Sequence, residues 1–496
     1  MMHLLIGEVK SDASHHVTMT APPTVNPKRA YFDRMAGTWD LWRNRNRYYY
    51  AEMQQLLRFL IPRGSQVLEV GCATGEQLAA LEPAEGLGID FSHRMIRLAQ
   101  KKFPHLRFSV MSAEQPAIKE PFDYIFACNL VGDMDDVQSA FHALQHVSRP
   151  STRLVLVYYN YLWEPILKLG ERIGLKRPTF IQNWLSLTDL KHMLALAGFE
   201  TISADYRVLL PIYIPLVSTF VNRFVARLPL IARLGLMTYL VARPRPHPLE
   251  DDVYSVSVII PCRNERGTVE AAVSRTPMLG RHTELIFVDG NSRDGTPQEI
   301  ERVMRIFPHR DVRLIHQGTG TGKGDAVRKG FAAAKGDVLM ILDADLTVAP
   351  EDLGRFYHAL IEGYGEFING SRMVYPQERQ AMRALNLIGN HFFSWAFTWI
   401  LGQRFRDTLC GTKVMLRRDY ERLARGRDYF GDFDPFGDFD LILGAVKLNL
   451  KVCEVPVRYR ARIYGETNIS RFAHGLLLFR MTWIAAKKFR FSGARQ

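Results

Sequence analysis

The chain has 496 residues, with 64 Lys and Arg against 51 Asp and Glu, a formal net charge of +13. That length exceeds what one hydrophobic core organises, so two domains of roughly 200 to 250 residues are expected, and the positive balance points to an anionic partner: a membrane surface, a phosphorylated substrate or nucleic acid. Five cysteines, Cys72, Cys128, Cys262, Cys410 and Cys453, with no CxxC pair indicate neither a disulfide framework nor a zinc site, and make a reducing cytoplasm the expected compartment.

Residues 1–30 lack the apolar run of a signal peptide and are expected to form a mobile tail. Residues 66–70 (QVLEV) read as a short buried strand, and Gly71-Cys-Ala-Thr-Gly75 then opens a helix at Glu76. Glycines there let the backbone approach a ligand at a strand's carboxyl end and a helix N-terminus. The loop is GxxxG rather than GxGxxG, which counts against a dinucleotide. A second strand, residues 87–90, ends in Asp90, about 20 residues after the first glycine, where a carboxylate binds ribose hydroxyls. The glycines and Asp90 together predict an adenosine ligand. Asp133, Asp135 and Asp136 read as a solvated helix start, with a base or metal cluster as the alternative. His142 and His146, four residues apart, lack a third metal ligand in sight. ARPRPHPLEDD at 242–252 interrupts the apolar pattern with three prolines and mixed charges, and the expected domain boundary lies there.

Through VLEVGCATG, GIDFSHRMIRLAQ and FDYIFACNLVGDMDD, residues 31–242 resemble the class I S-adenosylmethionine (SAM)-dependent methyltransferases. The resemblance implies a Rossmann-like domain in which Glu69, Gly71 and Gly75 shape the methionine pocket. It further implies that Asp90 binds ribose, Phe91 and Met95 flank the adenine, and Asn129 lies near the transferred methyl. Ser112 stands where many relatives place an Asp on the adenine amine. Such enzymes act mostly by proximity and orientation, so sequence says little about the methyl acceptor.

After the boundary, residues 254–261 (YSVSVIIP) form a buried strand ending in CRNE; residues 284–288 lead into DGNSRDGT, and KGDVLMIL leads into Asp343-Ala-Asp345. Three strands thus deliver polar residues at their carboxyl ends, where open α/β sheets bind ligands. Two carboxylates at i, i+2 suit Mg²⁺ or Mn²⁺ beside a diphosphate, so the inferred ligand is a nucleotide diphosphate. GTGTGKGD at 318–325 is not a Walker A loop, because its spacing is wrong and Gly324 replaces the Ser or Thr that holds magnesium. As a Gly-rich turn opening a helix over 325–334, with Lys323 exposed, it still suits phosphate contact.

These motifs, with GSRM and CEVPVRYRARIYGET, make residues 254–471 similar to family 2 glycosyltransferases, inverting enzymes of the GT-A fold, and among them to the dolichyl- and polyprenyl-phosphate sugar transferases. The resemblance implies that Pro261, Glu265 and Asp289 hold the nucleotide and Lys323 lies near the donor. It places Asp343 and Asp345 on the metal, Asp343 also beside the donor, and implies that Arg372, Arg383 and Arg462 face an acceptor phosphate, a role suited to bidentate guanidinium groups. Asp440 matches a carboxylate of the family, with Asp438 its nearest rival. Leu387 and Asn468 replace a serine and a lysine that relatives present to a lipid phosphate, and DTLCGTK at 407–413 departs from the family's usual sequence. An acceptor phosphate needs no base, whereas a hydroxyl acceptor would require Asp440 or Asp438 as general base.

Three apolar stretches, 208–240, 384–403 and 472–486, read as buried or amphipathic helices, or as interfacial helices with Arg and Lys at the headgroups. The expected architecture is a tail (1–30), a methyltransferase domain (31–242), a linker (243–252), a glycosyltransferase domain (253–471) and a basic amphipathic segment (472–496). The expected protein is a bifunctional cytoplasmic enzyme, peripheral on the inner membrane face. It would transfer a sugar to a polyprenyl phosphate or related lipid-linked acceptor and methylate in the same pathway. One half serving as a non-catalytic docking module is the alternative, as is a hydroxyl-bearing glycosyl acceptor. Nucleic acid is not expected as a partner, since no RNA-binding module appears.

Overall fold

The computed structural model describes residues 26–180, 182–375, 384–429, 437–462, 464–465 and 471–491, with the side chains of 384–388, 390, 438 and 471–476 excepted. Arg383 and Asn468, and the side chains of Leu387 and Asp438, therefore lie outside the described residues.

The first sheet contains β1 (Gln66–Val70), β2 (Glu85–Asp90), β3 (Arg107–Val110), β4 (Tyr124–Cys128), β5 (Arg153–Tyr159), β6 (Phe199–Arg207) and β7 (Met237–Pro244) in the order β3-β2-β1-β4-β5-β7-β6. The first five strands are parallel, and β7 runs antiparallel to both β5 and β6. Alternate side chains feed two apolar layers: Val67, Phe126, Val155 and Val241 on one face, Leu68, Ile125, Leu154 and Leu240 on the other. Strands buried on both faces read as continuous apolar runs, which is why QVLEV was legible as one.

The second sheet contains β8 (Ser255–Cys262), β9 (His282–Asp289), β10 (Asp311–His316), β11 (Val338–Ile341), β12 (Phe367–Ser371), β13 (Lys413–Leu416) and β14 (Val452–Pro456) in the order β10-β9-β8-β11-β13-β12-β14. Here β13 is the antiparallel strand, between β11 and β12. Both sheets reverse their strand order beside the first strand, β1/β4 and β8/β11, the crevice where α/β sheets bind ligands.

The structure amends several expectations. A helix spans Pro27–Met35, capped by the Asn26 side chain, so the expected tail is structured from Asn26 onward. Strand β7 continues to Pro244, two residues into the expected linker. The stretch 208–240 is not one helix: Pro211, Pro215 and Pro229 break it into two short helices, Val217–Arg223 and Pro229–Ala232, and MTYLVARP becomes β7 with every residue buried. The stretch 384–403 forms the helix Ala384–Leu401, burying Phe393, Ala396, Phe397 and Ile400 while Phe392 and Trp395 face outward. Among the described residues no helix is long and apolar enough to cross a membrane.

The two domains meet over a polar, buried seam. Arg153 Nη2 donates to both Glu366 carboxylate oxygens at 2.7 Å, and its Nε donates to the Asn449 carbonyl at 2.9 Å. Arg243 pairs with Glu366 at 3.2 Å and donates to the Gly363 carbonyl at 2.7 Å. Asn449 Nδ2 donates to the Leu60 carbonyl at 2.8 Å, and Lys451 Nζ to that of Thr201 at 2.9 Å.

Candidate active sites

In the first domain the loop after β1 carries Gly71 at φ +72° and Gly75 at φ +83°, left-handed conformations open chiefly to glycine. A Cβ on Gly71 would press on the Leu130 side chain and one on Gly75 on the Phe108 ring, which adds to the strain of the left-handed backbone. Glu69 is buried beneath it and accepts from the Leu78 N–H at 3.0 Å; burial raises its carboxyl well above the ordinary range. Asp90, at the end of β2, accepts from the Ala73 N–H and the Ser92 N–H, both at 2.9 Å. Burial outweighs those two bonds and pushes its carboxyl up to about 6. An ionised carboxylate offers about four acceptor sites, so two remain for diol hydroxyls.

Phe91 follows Asp90 and meets the Phe32 ring edge-on at 5.4 Å, while Met95 is buried behind it. Asn129, at the end of β4, adopts φ +53° and accepts from the Tyr49 hydroxyl at 3.1 Å. Ser112 donates to Glu114, whose other oxygen accepts from the Asp135 N–H at 3.3 Å. The three aspartates diverge: Asp136 caps the helix Val137–His146, Asp135 pairs with Lys28 at 2.7 Å, and Asp133 is buried near Arg177. Among the described residues no group of three or more His, Cys, Asp or Glu is arranged to hold a metal ion. Sequence reasoning missed the helix Pro27–Met35. Its Asp33 accepts from Ser92 Oγ at 2.6 Å and from the Arg94 N–H at 3.2 Å, and its Phe32 covers Phe91. Its capping Asn26 and N1 Pro27 were the available signal.

In the second domain Asp289 ends β9 and is buried, accepting from the Ser292 N–H at 3.3 Å. Pro261 lies beside it at the end of β8, in register with Val288. The helix Gly322–Ala333 starts three residues earlier than expected, which puts Lys323 in its first turn, 2.6 Å from Asp343 Oδ1. Burial would raise the Asp343 carboxyl, but Lys323, Lys413 and Arg372 outweigh it and hold it low; Asp345 is raised by burial and by the Asp343 charge. Arg462 bridges Glu265 and Asp345, the latter at 3.5 Å. Burial, reinforced by the neighbouring acids, pushes the Glu265 carboxyl up to about 7 despite Arg462. Pro261, Glu265, Asp289, Lys323, Asp343, Asp345 and Arg462 thus converge on the carboxyl ends of β8, β9 and β11. Two adjacent half-buried acids, Asp343 and Asp345, are a donor set that suits a divalent cation bridging to phosphate oxygens.

Arg372 turns toward Asp407, Nε to Oδ2 at 2.7 Å and Nη2 to Oδ1 at 2.9 Å. Asp440 is buried and accepts from Arg427 Nε at 2.7 Å. The divergent DTLCGTK loop has a structural role: a Cβ on Gly411 would collide with Asp343 Oδ2 and Lys323 Nζ. Beside the cluster opens a cavity of about 330 Å³ lined by Arg275, Arg355, Arg458 and Arg460 with Glu351, Asp352 and Tyr375. It adjoins the acidic pair through the Arg460 N–H, which donates to the Thr347 carbonyl at 2.9 Å, and Thr347 Oγ1, which donates to Asp345 Oδ1 at 2.9 Å. Sequence reasoning passed over these arginines; the alternation in VRYRAR was their only trace.

Comparison with known proteins decides the assignment. A methyltransferase-domain model matches residues 41–204, and the glycosyl transferase family 2 model matches residues 257–423. The chain joins a methyltransferase domain to a family 2 glycosyltransferase domain. The chain is 28% identical over 235 residues to glycosyltransferase AglJ of Haloferax volcanii, 47% of this chain and 72% of that protein. Dolichol-phosphate mannosyltransferase of Saccharomyces cerevisiae is 36% identical over 109 residues, 21% of this chain and 40% of that protein. The chain aligns with a solved SAM-dependent methyltransferase from Thermotoga maritima at 16% identity and a TM-score of 0.35, over 44% of this chain and 99% of that one.

Proposed function

We propose that the chain is bifunctional: inverting transfer of a sugar from a nucleotide-sugar to a polyprenyl phosphate or related lipid-linked acceptor, and SAM-dependent methylation in the same glycan or lipid pathway. The observation that carries the first activity is the convergence of Lys323, Asp343, Asp345, Arg462 and Glu265 at one strand-end crevice. Similarity to a dolichol-phosphate mannosyltransferase supports a lipid phosphate as acceptor.

Pro261, Glu265 and Asp289 would hold the nucleotide, with Lys323 on its phosphates. Asp343 and Asp345 would hold Mg²⁺ or Mn²⁺, which supplies positive charge to the departing diphosphate. The acceptor phosphate, already anionic, forms the new bond to the anomeric carbon while the bond from that carbon to the diphosphate breaks. Arg372, Arg383 and Arg462 are the proposed phosphate partners. Asp440, with one oxygen accepting from Arg427, is held in place and would serve as general base only if the acceptor were a hydroxyl.

In the methyltransferase domain, SAM when bound supplies an electrophilic methyl group. Gly71 and Gly75 admit its methionine end, Asp90 orients the ribose and Phe91 the adenine. Asn129, held by Tyr49, stands at the strand end where the acceptor arrives. Glu114, joined to Ser112, can meet the adenine amine in place of the missing acid. Exposed Phe392, Trp395, Phe479 and Trp483 on the helices Ala384–Leu401 and Arg471–Ala486 support a peripheral position on the cytoplasmic membrane face.

The test is transfer from a nucleotide-sugar panel to polyprenyl phosphate with Mg²⁺ or Mn²⁺, alongside calorimetric SAM binding. Metal-dependent transfer abolished by Asp345→Ala, with SAM binding intact, is the expected result. Donor hydrolysis without transfer to the lipid phosphate would redirect the search to hydroxyl acceptors.

A further inference from the structure

Between β6 and β7 the methyltransferase domain inserts residues 208–236, which carry no Asp or Glu. Leu216 is 86% exposed and Leu230 83% exposed, and Ile212, Tyr213, Phe220 and Leu234 are also more than half exposed. A water-facing loop gains nothing from such residues, and patches of this kind mark contact surfaces.

The insert does not end at its own domain. Phe220 packs on Phe224 at 5.6 Å, Phe224 stacks on Phe491 at 5.6 Å, Phe491 meets Trp399 at 6.1 Å, and Trp399 stacks on Trp395 at 6.3 Å. Trp399 Nε1 also donates to the Arg227 carbonyl at 3.1 Å. One aromatic row therefore crosses from the insert to the glycosyltransferase helices. Residues 208–236, 384–403 and 471–491 contain eight Lys or Arg and no acid.

Behind the row the seam holds three arginines. Arg227 and Arg490 are both more than nine-tenths buried. Arg490 pairs with Asp205, while Arg227 has no ion pair among the described residues, and its Nε and Nη1 are buried without a hydrogen-bond partner; Arg207 Nε and Arg490 Nε are likewise unpartnered. Arg207 and Arg490 both repel the Arg227 charge, and Asp205 is the acid that counters it. A narrow cleft of about 30 Å³, lined by Arg207, Arg490, Tyr239, Gln403 and Asn449, opens beside them, with Arg227 just outside its lining. Buried cations without counterions are costly, and an incoming anion satisfies them.

We propose that the insert of the methyltransferase domain is a lipid-contacting wedge, and that Arg207, Arg227 and Arg490 at the domain seam receive the phosphate headgroup of an anionic phospholipid. Lipid is favoured over a second protein because cations flank the apolar row and acids are absent from it, the pattern of a helix lying at headgroup level. Both domains then address one leaflet. The inference rests on the peripheral-membrane reading above and adds the first domain to it.

The test is flotation of the full chain with phosphatidylcholine vesicles, with and without phosphatidylglycerol. Wild type is expected to prefer the anionic vesicles. The double variant Leu216→Asp/Leu230→Asp should weaken binding to both vesicle types, roughly tenfold for each leucine withdrawn. Arg227→Met should reduce the anionic preference alone, about fivefold, and leave Tm at or above wild type. No binding of wild type to any vesicle would overturn this inference and the peripheral reading together. Binding insensitive to Leu216→Asp/Leu230→Asp would overturn the inference alone, leaving the glycosyltransferase helices as the membrane contact. A lowered Tm for Arg227→Met would make that arginine structural and remove the headgroup site. An Arg227-dependent rise in Tm with inorganic phosphate, without vesicle preference, would assign the site to free phosphate. Self-association through the insert would assign the wedge to a second copy.

Discussion

Arg153 Nη2 lies 2.7 Å from each carboxylate oxygen of Glu366, a residue 213 positions away in the other domain. Both side chains are largely withdrawn from water, and Arg243 approaches the same carboxylate at 3.2 Å. Removing one partner of such a pair leaves an uncompensated buried charge, so Arg153→Ala should cost about 3–5 kcal/mol. Arg153→Met should cost less, because it removes the charge while keeping the length and leaves Glu366 paired with Arg243, as measured by denaturant unfolding. Burial would raise the Glu366 carboxyl, but the two arginines hold it below its ordinary range. Its contribution to stability is therefore complete above the ordinary glutamate pKa and is lost as pH falls through the depressed value.

Asp90 titrates in the opposite sense. Its carboxyl keeps a proton up to about 6, so it is neutral at pH 5 and ionised at pH 7. Ribose hydroxyls donate to the ionised form, and SAM affinity measured by calorimetry should rise across that interval. Asp90→Asn should bind SAM about tenfold more weakly, with a flat pH profile. A flat profile in wild type would remove Asp90 from the ribose role.

Gly411→Ala tests the loop that packs on the acidic pair. The added methyl would displace Asp343 and Lys323 from each other. Glycosyl transfer should fall at least about a hundredfold, of the order seen when a catalytic constellation is displaced by about 1 Å. SAM binding in the same protein should be unchanged and serves as the internal control.

Arg458→Ala and Arg460→Ala address the arginine-lined cavity. If the acceptor's charge is drawn in there, each should raise the acceptor KM several-fold, leave kcat near wild type and leave donor affinity unaltered. An effect confined to donor affinity would place the nucleotide, rather than the acceptor, in that cavity.

Much of this architecture was readable because the informative segments are short-range. QVLEV with its glycine turn, and the strand ending at Asp343 and Asp345, state their burial and their ligand-facing ends within ten residues. Long-range pairing left no such trace. MTYLVARP became an antiparallel strand because β5 and β6 offered it two edges, and the prolines at 211, 215 and 229 argued against a continuous helix without naming the alternative. The pairing of Arg372 with Asp407 is similar: the arginine was legible as a guanidinium near the site, but its partner lies 35 residues on, in a loop without periodicity.

The seam also sets an order on synthesis. Arg153 leaves the ribosome 213 residues ahead of Glu366, which at translation rates of 5–20 residues per second is roughly 10 to 40 s. Through that interval the Arg153 guanidinium on β5 has no Glu366 to pair with and is left to water. If the earlier domain folds first and serves as a template, slowing translation between the two should leave the yield of native protein unchanged.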